Sequence, residues 1–321
     1  MINGIHEEIR RRIQAAQNIL VTTHIRPDGD AIGSLLGLGL SLRAAGKTVY
    51  TVSADGIPQN YRHLEGSQEV LQGVNVPVDL TVVVDCSELD RTGTGLPRDV
   101  LPDINIDHHV TNPEFARLNL VDPAAVATSE IIADCLAVWG LPVTPAVAAA
   151  LLTGLITDTL GFRTSNMTPK ALRLAAKLME AGAALPDLYM RSLVQRSFEA
   201  ARFWGIGLST LQREGGIVWA TMTIAGRRSV GYPGRDDADL INVLSAIEGA
   251  LISIVFVEQP NGNIKVSWRS QPGIDVSSTA LQFGGGGHPN ASGAEIQGSL
   301  DEVTSKVLSE TKKVIQEEIT A

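Results

Sequence analysis

The sequence predicts an α/β fold in which a parallel-sheet domain is joined by a helical linker to a smaller α+β substrate domain. Three observations predict it. Short apolar runs alternate with helical patterns through the first half of the chain, as in a parallel sheet with crossover helices. The run Leu80-Thr81-Val82-Val83-Val84 is apolar and β-branched without alternation, which suits a strand buried on both faces. From Gly216 the character changes to alternating strands and a hairpin.

The elements follow in order. Ile5, Ile9, Ile13 and Ala16 form one stripe, so residues 5–17 read as an amphipathic helix. Residues 18–22 form a short strand, followed by the loop His24–Asp30, a helix to about Ala45 closed by Gly46, and a strand over 47–52. Ile104-Asn105-Ile106 repeats the strand pattern briefly. Helices are expected over 129–138, 145–157 and 169–181. Thr144-Pro145 and Thr168-Pro169 supply N-caps followed by proline at the first helical position, and Gly182 supplies a stop. The expected domains are therefore 1–185, a helical linker over 186–212, and 213–321. In the last, Pro260-Asn261-Gly262 joins two strands as a hairpin, with Ile264, Val266 and Trp268 on one face and Lys265, Ser267 and Arg269 on the other.

Bulk properties narrow the function. At 321 residues the chain has room for two cored domains. Its net charge of -9 lacks the basic footprint of a protein that grips long nucleic acid; a polyanionic substrate should be short. Cys86 and Cys135 have no metal-ligand spacing to each other, which fits a reducing, cytoplasmic setting. No apolar signal region follows Met1–Arg12. The uncharged stretch 135–157 is long enough for a membrane span, but Gly140-Leu141-Pro142 and Thr144-Pro145 divide it into two buried helices. No membrane partner is expected, and a homodimer is compatible with the sequence.

The chemistry sits where strands end. The first strand runs into His24, the 80–84 run into Asp85, and 104–106 into Asp107-His108-His109. In an open parallel sheet the carboxyl ends of strands line the ligand crevice, so these groups should converge. Taken singly, each has an ordinary explanation. Asp28 and Asp30 suit a turn and a helix N-cap, Asp85 a loop acid, His108-His109 a loop pair, and Cys86 a small buried residue. Asp158 ends an apolar helix, where the macrodipole disfavours a negative charge; that placement points to an interaction elsewhere. Together His24, Asp28, Asp30, Asp85, His108 and Asp158 give two imidazoles and four carboxylates. That set suits Mn²⁺ or Mg²⁺ and disfavours a thiolate zinc site. Four carboxylates neutralise two divalent ions, and such a pair can activate water and steady a leaving oxygen.

In this set the sequence resembles the DHH phosphoesterases that carry a DHH-associated C-terminal domain. The resemblance covers nearly the whole chain. It rests on His24-Ile25-Arg26-Pro27-Asp28-Gly29-Asp30-Ala31-Ile32-Gly33-Ser34, Val84-Asp85, Asp107-His108-His109 and Thr157-Asp158, then Arg269-Ser270 and Phe283-Gly284-Gly285-Gly286-Gly287-His288. Within that family it looks like the small oligoribonucleases that also dephosphorylate 3′-phosphoadenosine 5′-phosphate. The resemblance implies that His24, Asp28 and Asp85 hold one metal ion, and that Asp30, His108, Asp158 and a shared Asp85 hold the other. It implies that Asp107 orients a ligand or bridges, and that His109 meets the scissile phosphate or helps the leaving group. Arg269, Ser270, Gly285, Gly286, Gly287 and His288 are then the substrate-binding residues. Two physical points agree: an arginine fork matches phosphate oxygens, and glycines let backbone approach a ligand. Ala291-Ser292-Gly293 departs from the usual second alanine.

The expected function is two-metal hydrolysis of short oligoribonucleotides and small nucleotides, with a same-family cyclic- or linear-dinucleotide phosphodiesterase as the alternative. A processive exonuclease is disfavoured by the acidic chain, and a family pyrophosphatase by the glycine–histidine motif. A non-catalytic nucleotide-binding regulator would show lost metal ligands, and none is lost.

Overall fold

The computed structural model describes residues 2–96 and 101–320. Contacts divide the chain into two units, Met1–Gln195 and Arg196–Ala321.

The first unit begins with α1 (Ile2–Ala15), β1 (Asn18–Thr22), α2 (Gly29–Ala44), β2 (Thr48–Val52), β3 (Leu80–Val84), β4 (Ile104–Asp107) and β5 (Leu118–Val121). Four helices follow: α3 (Thr128–Trp139), α4 (Pro145–Asp158), α5 (Pro169–Glu180) and α6 (Leu185–Tyr189), the last continued by a π-helical turn at Met190–Val194. The five strands form one sheet in the order β2-β1-β3-β4-β5, and every pairing is parallel. The order reverses between β1 and β3, and the crevice beyond the strand ends at such a switch point is where ligands bind in open α/β sheets.

The pleat sorts the core into two layers. Ile19, Val21, Val82, Val84, Ile104 and Ile106 face the helices, while Leu20, Val52 and Val83 face a smaller cluster with Cys86 and Leu96. All five residues of β3 are buried, as the unalternating run requires. Ile9, Ile13 and Ala16 anchor α1 to the larger layer. The uncharged 135–157 stretch is broken at Gly140 (φ +73°) between α3 and α4. Among the described residues, no helix is long and apolar enough to cross a membrane. β5 has no counterpart in the sequence reading: it is a half-buried edge strand of four residues with Asn119 inside it, too short and too polar to announce itself.

α2 and α4 pack backbone to backbone. A Cβ on Gly33 would lie 2.6 Å from the Ala150 carbonyl oxygen and from the Gly154 nitrogen, so only glycine allows this approach.

The second unit contains α7 (Phe198–Ser209), β6 (Gln212–Glu214), β7 (Ile217–Met222), α8 (Ile224–Val230), α9 (Leu240–Leu244), β8 (Ile252–Glu258), β9 (Asn263–Ser270), α10 (Ser277–Gln282), β10 (Gly286–His288), β11 (Ala291–Gln297) and α11 (Leu300–Thr320). Its sheet runs β10-β11-β9-β8-β7-β6; β7 and β8 are parallel and the other pairs antiparallel. The expected hairpin joins β8 to β9 with Gly262 at φ +82°. Ile264, Val266 and Trp268 are buried, while Lys265, Ser267 and Arg269 alternate with them. One face packs on α11 through Val303, Val307 and Leu308; the other packs on Phe203, Leu240, Ile241 and Leu244. Burial of Trp268 and Phe256 stabilises this unit by roughly 1.5–3 kcal/mol per side chain of that size. The stretch 186–212 is helical in three pieces, α6, the π-helical turn and α7, and the strand β6 begins at Gln212.

Candidate metal centre

The crevice at the carboxyl ends of β1, β3 and β4 gathers every acid and imidazole that the sequence singled out in the first unit. His24 follows β1, Asp85 follows β3, Asp107 ends β4, and Asp158 ends α4. Asp28 caps α2, its Oδ1 accepting the Asp30 and Ala31 amides at 3.1 Å. The N-cap reading and the metal reading of Asp28 are therefore compatible: one oxygen caps the helix, and the carboxylate still groups with His24 and Asp85. His24, Asp30, Asp85 and Asp107 are buried, and Asp28 is exposed.

Ligand atoms of His24, Asp28 and Asp85 lie within 4.8 Å of one another, and so do those of Asp30, His108 and Asp158. Asp85 stands between the groups, with Oδ2 3.7 Å from His24 Nε2 and Oδ1 3.8 Å from His108 Nε2. His108 Nε2 is also 3.6 Å from Asp158 Oδ2. A third grouping joins Asp85, His108 and His109.

These donors fit divalent ions on three counts. First, their separations are too long for hydrogen bonds, yet near the roughly 3 Å spacing of atoms ligating one ion at ~2.1 Å. Second, the imidazoles are turned for ligation. His24 Nδ1 is 2.8 Å from the Ile25 carbonyl oxygen and His108 Nδ1 is 3.4 Å from that of Ala125. A carbonyl only accepts, so Nδ1 carries the proton and Nε2 presents its lone pair to the crevice, as a backbone partner fixes a metal-binding imidazole. Third, the charge is not neutralised: among the described residues, no Lys or Arg makes an ion pair with Asp28, Asp30, Asp85 or Asp158.

The excess negative charge shows in the titration of the same groups. Burial, then the Asp85 charge, pushes Asp30 up to about 7, and burial with the Asp30, Asp28 and Asp85 charges raises Asp158 well above the carboxylate range. Burial opposes charging of His24, His108 and His109, yet the carboxylates facing each outweigh it and raise all three. Burial also opposes the Asp85 charge, but His24, His108 and His109 hold its carboxyl below the usual range. Burial pushes the Cys86 thiol up to about 12, consistent with a small packed residue.

Several supporting residues were not legible as site residues. The Thr128 and Ser129 amides at the N-terminus of α3 donate to Asp30 at 2.6 and 3.0 Å, and Thr128 Oγ1 donates to Asp85 at 2.9 Å. The helix N-terminus thereby holds an anion. Asp107 Oδ1 accepts His109 Nδ1–H at 2.7 Å and the His108 amide at 2.9 Å, while Oδ2 accepts from Asn112. Asn112 also donates to Asn105 Oδ1 at 2.7 Å. A buried asparagine between Ile104 and Ile106 was the available signal. Asp85 itself has φ +52°, unusual for a non-glycine residue and a form of strain found at functional sites.

The remaining predicted residues lie in the second unit. Arg269 is half-buried on β9, its Nη1 donating to the Trp268 carbonyl oxygen at 3.0 Å. Burial lowers its pKa despite the charges of Asp237 and Asp239. Ser270 Oγ donates to the Ile274 carbonyl oxygen at 2.5 Å and accepts from Asn290 at 3.1 Å, so its hydroxyl holds the turn after β9. The glycine run has a packing reason of its own. A Cβ on Gly285 would strike the Gly293 carbonyl, one on Gly287 the Ala291 carbonyl, and Gly284 has φ +74°. Gly286 meets neither constraint. Ser292, the departure from alanine, donates from Oγ to the His288 carbonyl oxygen at 2.7 Å.

Comparison with known proteins agrees with this layout. Residues 18–155 match the model of the DHH family, N-terminal domain, and residues 229–317 that of the DHHA1 domain. A Thermus thermophilus protein, the bifunctional oligoribonuclease and PAP phosphatase NrnA, is 37% identical over 308 residues, covering 94% of this chain and 90% of the relative. The protein of the same name from Bacillus subtilis is 27% identical, covering 97% and 98%. An exopolyphosphatase-related protein from Bacteroides fragilis shares the fold with a TM-score of 0.90, 24% identity, and coverage of 99% and 97%. With both domain models matched in order and Asp107-His108-His109 at the carboxyl end of β4, this chain belongs to the DHH family.

Proposed function

We propose that this chain is a two-metal phosphodiesterase that hydrolyses short oligoribonucleotides to mononucleotides and removes the 3′-phosphate of 3′-phosphoadenosine 5′-phosphate. The observation that carries it is the pair of three-donor groups, His24–Asp28–Asp85 and Asp30–His108–Asp158, at the switch point of a parallel sheet. The names of the Thermus and Bacillus relatives supply the substrates.

In this reading the first group holds one divalent ion and the second the other, with Asp85 shared. Imidazole together with carboxylate favours Mn²⁺, with Mg²⁺ second. Such a pair supplies Lewis-acid stabilisation of charge on the phosphate oxygens. The protein's own part is positioning. Thr128, Ser129 and the α2 N-terminus hold the carboxylates in register, and the Ile25 and Ala125 carbonyls hold the imidazoles. Asp107, fixed by Asn112, orients His109 through Nδ1–H, and His109 Nε2 is the atom assigned to the phosphate or its leaving oxygen. Arg269 and His288 are assigned to a substrate phosphate, with Ser270 and Gly285–Gly287 shaping the backbone around it. Two buried free cysteines agree with a reducing, cytoplasmic setting.

The test is product analysis with purified protein and Mn²⁺. A 5′-phosphorylated ribodinucleotide should give two mononucleotides, and 3′-phosphoadenosine 5′-phosphate should give AMP and phosphate, both abolished by a chelator. No cleavage of either substrate, with a cyclic dinucleotide cleaved instead, overturns the assignment.

A further inference from the structure

Among the described residues, Arg91 is a cationic side chain that stands against the candidate metal centre and has no role in the account so far. It sits in the 3₁₀ segment Leu89–Gly95 that follows Asp85. Its backbone is pinned to the His24 loop, the Ile25 amide donating to the Arg91 carbonyl oxygen at 2.6 Å, and is held within its own segment by the Arg91 amide donating to the Glu88 carbonyl oxygen at 3.1 Å. Gly93 makes the contact closer still, since a Cβ there would lie 2.6 Å from Ile25 Cγ2.

The guanidinium is half-buried, with Nη2 3.4 Å from His24 Nδ1. That approach is not a hydrogen bond, because His24 Nδ1 already donates to the Ile25 carbonyl oxygen and both nitrogens are donors. Glu88 and Asp90 flank Arg91 in sequence, yet among the described residues no carboxylate forms an ion pair with it. A partly desolvated guanidinium with no ion-pair partner among the described residues, beside a cluster of candidate metal ligands, lacks the bidentate oxygen pair that its fork geometry matches.

We propose that Arg91 is a phosphate-binding residue of the first unit, donating to a non-bridging oxygen of the scissile phosphate on the His24 side of the centre. This rests on the proposed hydrolytic function for the nature of the substrate, but not for the binding itself. Arg91 touches no carboxylate of the cluster, so it contributes to anion affinity and not to metal affinity. A merely structural arginine would act through His24 and would weaken the metal.

The experiment measures three quantities on wild type, R91A and R91K: Mn²⁺ binding by calorimetry, inorganic phosphate binding to the Mn²⁺-loaded protein, and kcat/KM on a ribodinucleotide with and without a 5′-phosphate. R91A should bind phosphate at least tenfold more weakly, keep Mn²⁺ affinity within twofold, and lose at least thirtyfold in kcat/KM on both dinucleotides. R91K keeps the charge without the fork and should recover part of the phosphate affinity. Should R91A not fold, R91K against R91Q gives the same comparison, with R91Q the weaker binder. Phosphate affinity within twofold of wild type, or a parallel fall in Mn²⁺ affinity, overturns the proposal. A loss confined to the 5′-phosphorylated dinucleotide overturns the assignment to the scissile group. If wild type cleaves neither dinucleotide while R91A still loses phosphate affinity, the functional reading fails and the binding role of Arg91 stands.

Discussion

Gly154 on α4 and Asp30 on α2 touch so closely that a Cβ at residue 154 would lie 2.7 Å from Asp30 Oδ1 and 2.6 Å from Ser129 Oγ. The glycine is thus part of how the candidate metal centre is built. It lets one helix backbone come up against a carboxylate that the α3 amides hold from the other side. G154A should move Asp30, weaken Mn²⁺ binding about tenfold, and cost roughly 1–3 kcal/mol of stability, the range for overpacking a tight interior. Calorimetry and thermal melts check both effects, and an unchanged Mn²⁺ affinity contradicts this role for the glycine.

Asp85 is proposed to serve both metal ions from a backbone at φ +52°. Asparagine tolerates that conformation better than most residues, so D85N separates loss of charge from loss of fold. The variant should melt cooperatively, bind less metal, and lose more than a hundredfold in turnover. Retention of more than about a tenth of the wild-type rate, a loss under ~1.4 kcal/mol, contradicts a bridging role.

The two histidines of the motif should separate in metal analysis. His108 presents Nε2 to Asp85 and Asp158, whereas His109 Nδ1 donates to Asp107. H109A should keep two ions per chain and turn over about 10²-fold more slowly, within the usual range for a proton-transferring group. H108A should lose an ion. The reverse stoichiometry would exchange their roles, a real alternative because His109 Nδ1 also stands 3.8 Å from Asp85 Oδ1.

Metal removal should be felt in stability. Four carboxylates share the crevice without a Lys or Arg ion pair among the described residues, so ions that bind only the folded chain stabilise it by mass action. At Mn²⁺ a hundredfold above Kd the gain is about 2.7 kcal/mol per site. Chelation should lower the melting temperature, with D85N showing a smaller shift. Identical melts with and without chelator contradict the metal reading.

The first sheet was largely legible because its inner strands β3 and β4 are buried on both faces. Uninterrupted β-branched runs such as residues 80–84 leave little else to be, and the polar residue that ends each run marks the crevice. Caps were legible for the same local reason: Thr144 and Thr168 accept the amides expected of them. What escaped depended on partners distant in sequence. β5 is defined by its neighbour β4 and not by its own pattern. Thr128 and Ser129 reach Asp30 across 98 and 99 positions, a meeting that only the α2–α3 packing creates. The glycine run at 284–287 was readable as backbone waiting for a ligand, but the facing strand β11 already requires two of its members.

Short strands should be the preferred substrates. With a net charge of -9, phosphates beyond the Debye length of ~8–10 Å gain little from the few cations assigned to binding. Most binding energy should therefore come from the first two or three nucleotides. The measurement is kcat/KM with Mn²⁺ for ribo-oligonucleotides of two, five and twenty-four units, with D85N as the control for contaminating nuclease. The values should be highest at two to five units and fall at twenty-four, with no activity above background in D85N. Equal or faster cleavage of the 24-mer, abolished in D85N, would contradict this and reveal a binding surface for long strands.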